Sequence, residues 1–263
     1  MKAFTAIPIL ALIVLSHSFA KAQQSRRYVA NSTYKDSRAF GITVIAGLAA
    51  PARIRSNYAG FAPESTPQPA FEGLLNWYRE IDNGYWLVFG AGAGVGGYNF
   101  RYYIPKETTD PPLQYDLFNN GAPSRSMDMF YLKVPIELEK RWADRKRNLW
   151  NASFGVSLLY APYVESGTES LFFHNGAYHS YLNISQQNNE SGKPWFHLHA
   201  AGGYSWRLRN KHLIRANMKV SYSLRDYVTA DYQFTLPAHP VMAGSYTISG
   251  SYAGMALSYI FAR

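Results

Sequence analysis

Residues Phe130 to Trp142 read FYLKVPIELEKRW, and their pattern decides the fold. Leu132, Val134, Ile136, Leu138 and Trp142 share one side of an extended chain. Lys133, Pro135, Glu137, Glu139 and Arg141 share the other. Successive side chains of a strand point to opposite faces, so this stretch is apolar on one face and charged on the other. Globular strands average about 5–6 residues, and this alternation runs longer. A membrane-spanning β-strand needs about 9–11 residues and alternates lipid-facing with lumen-facing positions.

The same period recurs on both sides. Leu213 to Tyr227 sets Ile214, Ala216, Met218, Val220, Tyr222 and Leu224 against Arg215, Asn217, Lys219, Ser221, Ser223 and Arg225. Pro194 to Leu208 sets Phe196, Leu198, Ala200, Tyr204 and Trp206 against His197, His199, Ser205 and Arg207. Trp150 to Tyr160, Arg38 to Ala50, Phe71 to Ile81 and Ser245 to Phe261 behave likewise; Glu72 falls on the polar face of its segment. In Tyr85 to Gly97 the inner positions are Gly90, Gly92, Gly94 and Gly96. A row of glycines inside a narrow barrel leaves room for large side chains from across the barrel. The stretch matches neither a dinucleotide fingerprint nor a P-loop with its lysine.

These eight segments are joined by short and long connections in strict alternation. Asp82-Asn83-Gly84, Asp144 to Asn148 and Asn210-Lys211-His212 are tight turns. Stretches near 57–69, 105–128, 162–193 and 235–244 are long links. The pattern predicts an all-β fold: an eight-stranded antiparallel up-and-down transmembrane β-barrel over 38–263. Short turns are expected in the periplasm and long loops outside.

Residues 1–22 carry Lys2, an apolar run from Ala3 to Leu15 and the small-x-small site Ala20-Lys21-Ala22. That is the pattern of a signal peptide cleaved before Gln23. Pro8 and Ser16-His17-Ser18 interrupt the run, which disfavours an anchor helix. Residues 23–37 form a polar periplasmic extension. Cleavage removes Lys2 and Lys21 from 26 basic residues, so the net charge falls from +9 to 24 − 17 = +7. An exported chain has no nucleic-acid partner. Zero cysteines exclude disulfides and thiolate metal sites, and no cofactor is implied. The expected location is the bacterial outer membrane.

Aromatic residues gather near strand ends, as interface belts do. Trp77, Tyr78, Tyr85, Trp86, Trp142, Trp150, Trp206 and Tyr259 lie toward the short turns. Tyr98, Tyr102, Tyr103, Tyr131, Tyr160, Tyr163, Trp195 and Tyr227 lie toward the long links. With Tyr131-Leu132-Lys133-Val134-Pro135-Ile136, the glycine-rich third segment and the ending Leu257-Ser258-Tyr259-Ile260-Phe261, the chain resembles the PorT-like outer-membrane barrels of Bacteroidota-type bacteria. Ala262-Arg263 departs from the family's terminal aromatic. The resemblance implies architecture; a secretion-related role follows by analogy alone.

An eight-stranded barrel holds only its own side chains inside. Glu72, Arg101, Lys133, Glu137, Glu139, Arg207, Arg215, Lys219 and Arg225 are the expected lumen charges, paired across it. A narrow gated solute path is the alternative. Tyr163, Phe172, Phe173, Tyr178 and Tyr181 in the third long link suit either external recognition or a self-packed lid. Arg145, Lys146, Arg147, Arg209 and Lys211 form a basic periplasmic rim. Candidate partners are outer-membrane lipids and other outer-membrane or periplasmic proteins. A lipid-modifying enzyme would need a histidine base and an acid near the outer rim; His174, His179 and His239 with Asp226, Asp231 and Glu169 are the residues to place. No catalytic or metal site is otherwise indicated, and the expected role is non-enzymatic.

Overall fold

The computed structural model describes residues 38–57, 63–82, 84–109, 112–119, 129–144, 148–174, 177–189 and 192–262. The expected signal peptide and polar extension lie outside them. The described strands are numbered β1 to β15 in chain order. Eight of them close a barrel: β1 (Arg38–Ala49), β3 (Gln68–Asp82), β4 (Tyr85–Gly96), β7 (Met129–Ala143), β8 (Leu149–Tyr160), β11 (Trp195–Arg207), β12 (Leu213–Ser223) and β15 (Tyr252–Ala262). Each neighbouring pair is antiparallel, and β1 closes the ring by pairing with both β3 and β15. Closure satisfies the backbone within the ladder, as a lipid environment requires. At the β3–β4 turn Gly84 takes a φ of +79°, where a Cβ is disfavoured.

Exposure is inverted relative to a soluble protein. Met218 is 70% exposed and Phe154 62%, whereas Lys133 and Glu139 are each 1% exposed. Phe196, Leu198, Val220, Leu132, Val134, Ile136 and Leu138 also face outward. An apolar band around a charged interior marks a transmembrane barrel. The glycines of β4 serve a neighbour rather than the far wall. A Cβ on Gly94 would lie 2.5 Å from the ring of Tyr131, its partner on β7.

Two expectations change. Tyr78 and Trp86 are not in a belt; they are buried inside the turn-side end. Their strand parity points them inward, and Trp77, Tyr85, Trp150 and Trp206 remain as the exposed ring. At the other end Tyr98, Tyr102, Tyr131, Trp195 and Tyr227 are buried in an apolar core, not set at a lipid interface.

That core belongs to a cap built from the long links. β2 (Arg53–Ser56), β9 (Val164–His174), β10 (Ala177–Asn188), β13 (Val228–Phe234) and β14 (Met242–Ile248) form a sheet ordered β2-β14-β13-β10-β9. Each continues a barrel strand, and the order repeats β1-β15-β12-β11-β8. Five barrel strands therefore break at one level and run on as a half-shell. Hydrogen bonds bridge the break, from Ala50 N to Ser251 O (2.7 Å) and from Tyr227 N to Ile248 O (2.7 Å). The segment expected as one strand over 245–261 is thus β14 and β15, and the link near 162–193 is mostly β9 and β10.

The other three barrel strands do not extend. The β4–β7 link instead folds over the mouth and carries β5 (Tyr102–Ile104) and β6 (Leu117–Asn119). Phe100 packs on Tyr232 and Tyr246, with ring centroids 5.2 and 5.3 Å apart. Tyr102 packs edge-on against Phe234. Phe100 is fully buried in the cap, so Phe100→Ala is expected to cost about 3–5 kcal/mol there. Limited proteolysis in lipid vesicles checks this: the cap should become cleavable while the barrel keeps its heat-sensitive gel mobility.

Candidate functional site

The candidate site is the lumen, where strand alternation brings charges from β3, β7 and β12, with the His199 imidazole of β11 and the Tyr252 hydroxyl of β15, together in three tiers. In the tier under the cap, Lys133 Nζ donates to both carboxylate oxygens of Glu72 (2.7 and 2.8 Å). Tyr131 (2.8 Å) and Tyr252 (2.7 Å) donate their hydroxyls to the same carboxylate. In the middle tier Glu137 accepts from Lys219 (2.8 Å) and Ser153 (3.0 Å), and His199 Nε2 lies 3.0 Å from it. In the turn-side tier Arg215 grips Glu139 with two nitrogens (2.6 and 2.8 Å), and Arg141 donates to the same group. Trp86 and Tyr78 lie against the Arg141 guanidinium, with the Trp86 ring centre 4.0 Å away.

Desolvating charges is costly unless geometry and further hydrogen bonds compensate. The serines, tyrosines and rings around each tier supply that compensation. Apolar clusters close the column at both ends. Tyr131, Leu159, Trp195 and Tyr227 continue into the cap core, and Tyr78, Trp86, Val88, Leu213 and Ile260 fill the turn-side end. A cavity of about 30 Å³ remains beside Glu137, Glu139, Arg215 and Lys219, room for about one water.

Most expected lumen charges stand in this column, but three do not join it. Arg101 is exposed in the β4–β7 link, where its backbone pairs with Glu64. Strand parity could not reach it, because β4 ends at Gly96. Arg225 lies beyond the end of β12, where the chain bends into the cap; its guanidinium donates to Asn189 and to the Lys193 carbonyl (2.9 Å). Arg207 is half-buried at the turn-side lip, and its backbone N donates to Asn148 (3.1 Å). Conversely, Tyr131 was legible only as a strand-end aromatic and Tyr252 was not singled out, although both hold Glu72.

The histidine pair is occupied by protein. His197 bonds Ser221 (3.0 Å) and receives the Trp195 indole N–H (3.2 Å); His199 also bonds Ser157 (3.1 Å). Among the described residues no group of three or more His, Asp and Glu could hold a metal. Asp226 is held by Arg53, and His239 Nδ1 lies 2.9 Å from the Pro240 carbonyl. His179 is exposed on β10; Glu169 and Asp231 stand opposite Asn183 and Ser245 in the cap ladder. The side chain of His174 lies outside the described residues.

Of the five aromatic loop candidates, Tyr181 is buried in the cap and shares a 2.7 Å hydrogen bond with Tyr102, while Tyr163 is exposed. Phe172, Phe173 and Tyr178 are backbone members of β9 and β10, and their side chains are outside the described set. In the basic rim, Arg209 and Lys211 are exposed at the β11–β12 turn; Arg145, Lys146 and Arg147 lie outside the described residues.

Cap tyrosines are shifted by burial. The Tyr227 phenol is pushed up to about 12, and Tyr98 and Tyr246 are raised above the usual phenol range. Tyr246 donates to Gln186 (3.0 Å), which Tyr98 also holds.

These features define an eight-stranded transmembrane barrel with a filled lumen and a folded cap. No protein-family model matches the chain, and no curated protein does. Solved structures share the outline at low identity. Outer membrane protein OprG from Pseudomonas aeruginosa aligns at TM-score 0.40 and 11% identity, over 87% of this chain and 98% of that one. Neisserial surface protein A aligns at 0.36 and 12%, over 83% and 96%. Outer membrane protein AlkL aligns at 0.31 and 13%, over 89% and 95%.

Glu139→Gln removes the one carboxylate between Arg141 and Arg215. Breaking a buried pair this way is expected to destabilise the barrel by about 3–5 kcal/mol, read by denaturant unfolding in vesicles. Replacing Lys133 and Glu72 together by methionine should cost less than replacing Lys133 alone. For the cap, a raised phenol pKa means the unfolded state ionises first. Its stability is therefore full below pH about 10, the unfolded phenol value, and is lost as pH rises through about 12. Protease accessibility of the cap against pH checks this, and Tyr227→Phe should blunt the loss.

Proposed function

We propose that the chain is a non-enzymatic outer-membrane barrel that does not conduct and acts as a structural or accessory subunit of a membrane assembly. The cap faces outward and the short turns face the periplasm. One observation carries the reading: the lumen is packed with paired charges and closed by apolar clusters at both ends. A solute path would need a continuous wet lumen, and ion pairs fill the column between the two apolar ends. The half-shell gives five strands a rigid continuation beyond the membrane, and rigid scaffolds of this kind position recognition surfaces. Its partners in this reading are outer-membrane lipids and other outer-membrane or periplasmic proteins. The PorT-like resemblance adds a secretion-related assembly as the setting.

Planar-bilayer recording tests the closed lumen. The full chain is expected to show no steady unitary current, and a variant lacking 98–119 should stay closed because the ion pairs beneath are untouched. Steady currents from the full chain would favour a narrow channel instead. Mild-detergent purification from the native membrane should bring down a stoichiometric protein partner; a solitary barrel would overturn the accessory role.

A further inference from the structure

We propose that the outer wall on the turn side carries a phospholipid-phosphate site built from Arg38 and Arg79. These two residues are directly opposite each other at the first rung of the β1–β3 ladder. Both are exposed, and strand parity puts them on the lipid-facing side with Ile42, Leu75 and Trp77. Like charges directly opposite across a ladder repel, so the pair is unfavourable without an anion between them.

Among the described residues no anion is supplied by the protein. Neither arginine has an ion pair or side-chain hydrogen bond there. The neighbouring acid Glu80 is half-buried and accepts from Gly84 N (3.2 Å) at the turn. The contrast with other cations is plain. Lys133, Lys219, Arg141 and Arg215 all hold carboxylates, and Lys140 sits over the Tyr85 ring at 3.7 Å. Two guanidinium forks on one face suit the tetrahedral oxygens of a phosphate.

The setting selects a lipid phosphate rather than a free one. Directly beyond the arginines an aromatic strip runs around the wall. Phe40 meets Trp77 (5.6 Å) and Phe261 (5.9 Å), and Trp77 stacks on Phe89 (5.8 Å). Such rings sit at headgroup level, with acyl chains beyond them. Ile42, Val44 and Leu75 continue the same face into the apolar band, so a lipid held by its phosphate would lay its chains along them. The site rests on the proposed orientation, in which the turns face a phospholipid leaflet. It also differs from the basic rim read from the turns, since Arg38 and Arg79 lie on the wall.

Native mass spectrometry of the full chain, released from mixed micelles with equal phosphatidylglycerol and phosphatidylcholine, tests the proposal. At about fivefold per arginine, bound phosphatidylglycerol should exceed phosphatidylcholine by about thirtyfold. Arg38→Gln with Arg79→Gln should bring the ratio near one, each single change should fall between, and Arg209→Gln with Lys211→Gln should leave it high. Heat-sensitive gel mobility certifies that each variant is folded; if the double variant does not fold, the two single variants carry the test. A folded wild type without preference, or a folded double variant that keeps it, would overturn the site. Displacement of the lipid by excess inorganic phosphate would assign the pair to free phosphate and overturn the lipid. Orientation is read separately, by whether external protease reaches the Phe100→Ala cap in whole cells, so a failed site and a failed orientation give different results.

Discussion

Everything in this molecule depends on one constraint: a polar group taken out of water must find its partner inside the protein. In hydrocarbon the backbone meets it by closing on itself, and eight antiparallel strands do so when β1 pairs with both β3 and β15. Closure then forces the side chains. Every second residue must face lipid and every other one a lumen too narrow for bulk water. The lumen carboxylates are therefore held to the same rule. Glu72, Glu137 and Glu139 each meet at least one cation within 3 Å; hydroxyls and an imidazole take up the remaining capacity of Glu72 and Glu137, and a second guanidinium that of Glu139.

The cap extends this logic beyond the membrane. Five strands outrun the barrel and would otherwise expose the inner face of a half-shell. The β4–β7 link fills that face with Tyr98, Phe100, Tyr102 and Ile104. The filling is continuous with the lumen: Tyr131 is part of the cap core through its ring and part of the Glu72 tier through its hydroxyl. Such continuity suits a rigid scaffold.

How much of this was legible in the sequence differs by residue. Lys133, Glu137, Glu139, Arg215 and Lys219 were readable because period two is a local property of the backbone. Tyr78 and Trp86 obey the same parity, yet their chemistry suggests an interface, and only the position of Arg141 shows why aromatics belong inside. Tyr98, Trp195 and Tyr227 lie at strand ends, where a lipid belt and a folded cap demand the same amphipathic rings. What separates the two is tertiary: β10, β13 and β14 assemble from links far apart in sequence, and no local period announces it. Arg101 and Arg225 failed for a related reason, since a strand's parity stops carrying information where the strand bends. Seven of the 21 tyrosines, Tyr98, Tyr102, Tyr131, Tyr181, Tyr227, Tyr232 and Tyr246, belong to this cap core.

The absence of native cysteine permits a direct measurement of the central claim. Single cysteines placed one at a time from Leu132 to Arg141 can carry spin labels in lipid vesicles, with accessibility to oxygen and to a water-soluble nickel reagent compared at each position. Oxygen accessibility should peak at 132, 134, 136, 138 and 140 and fall at the positions between, which should be poorly reached by either reagent. Strong nickel accessibility at 133, 137 and 139 would contradict the account, because it would mean a wet lumen where a packed column of ion pairs is required.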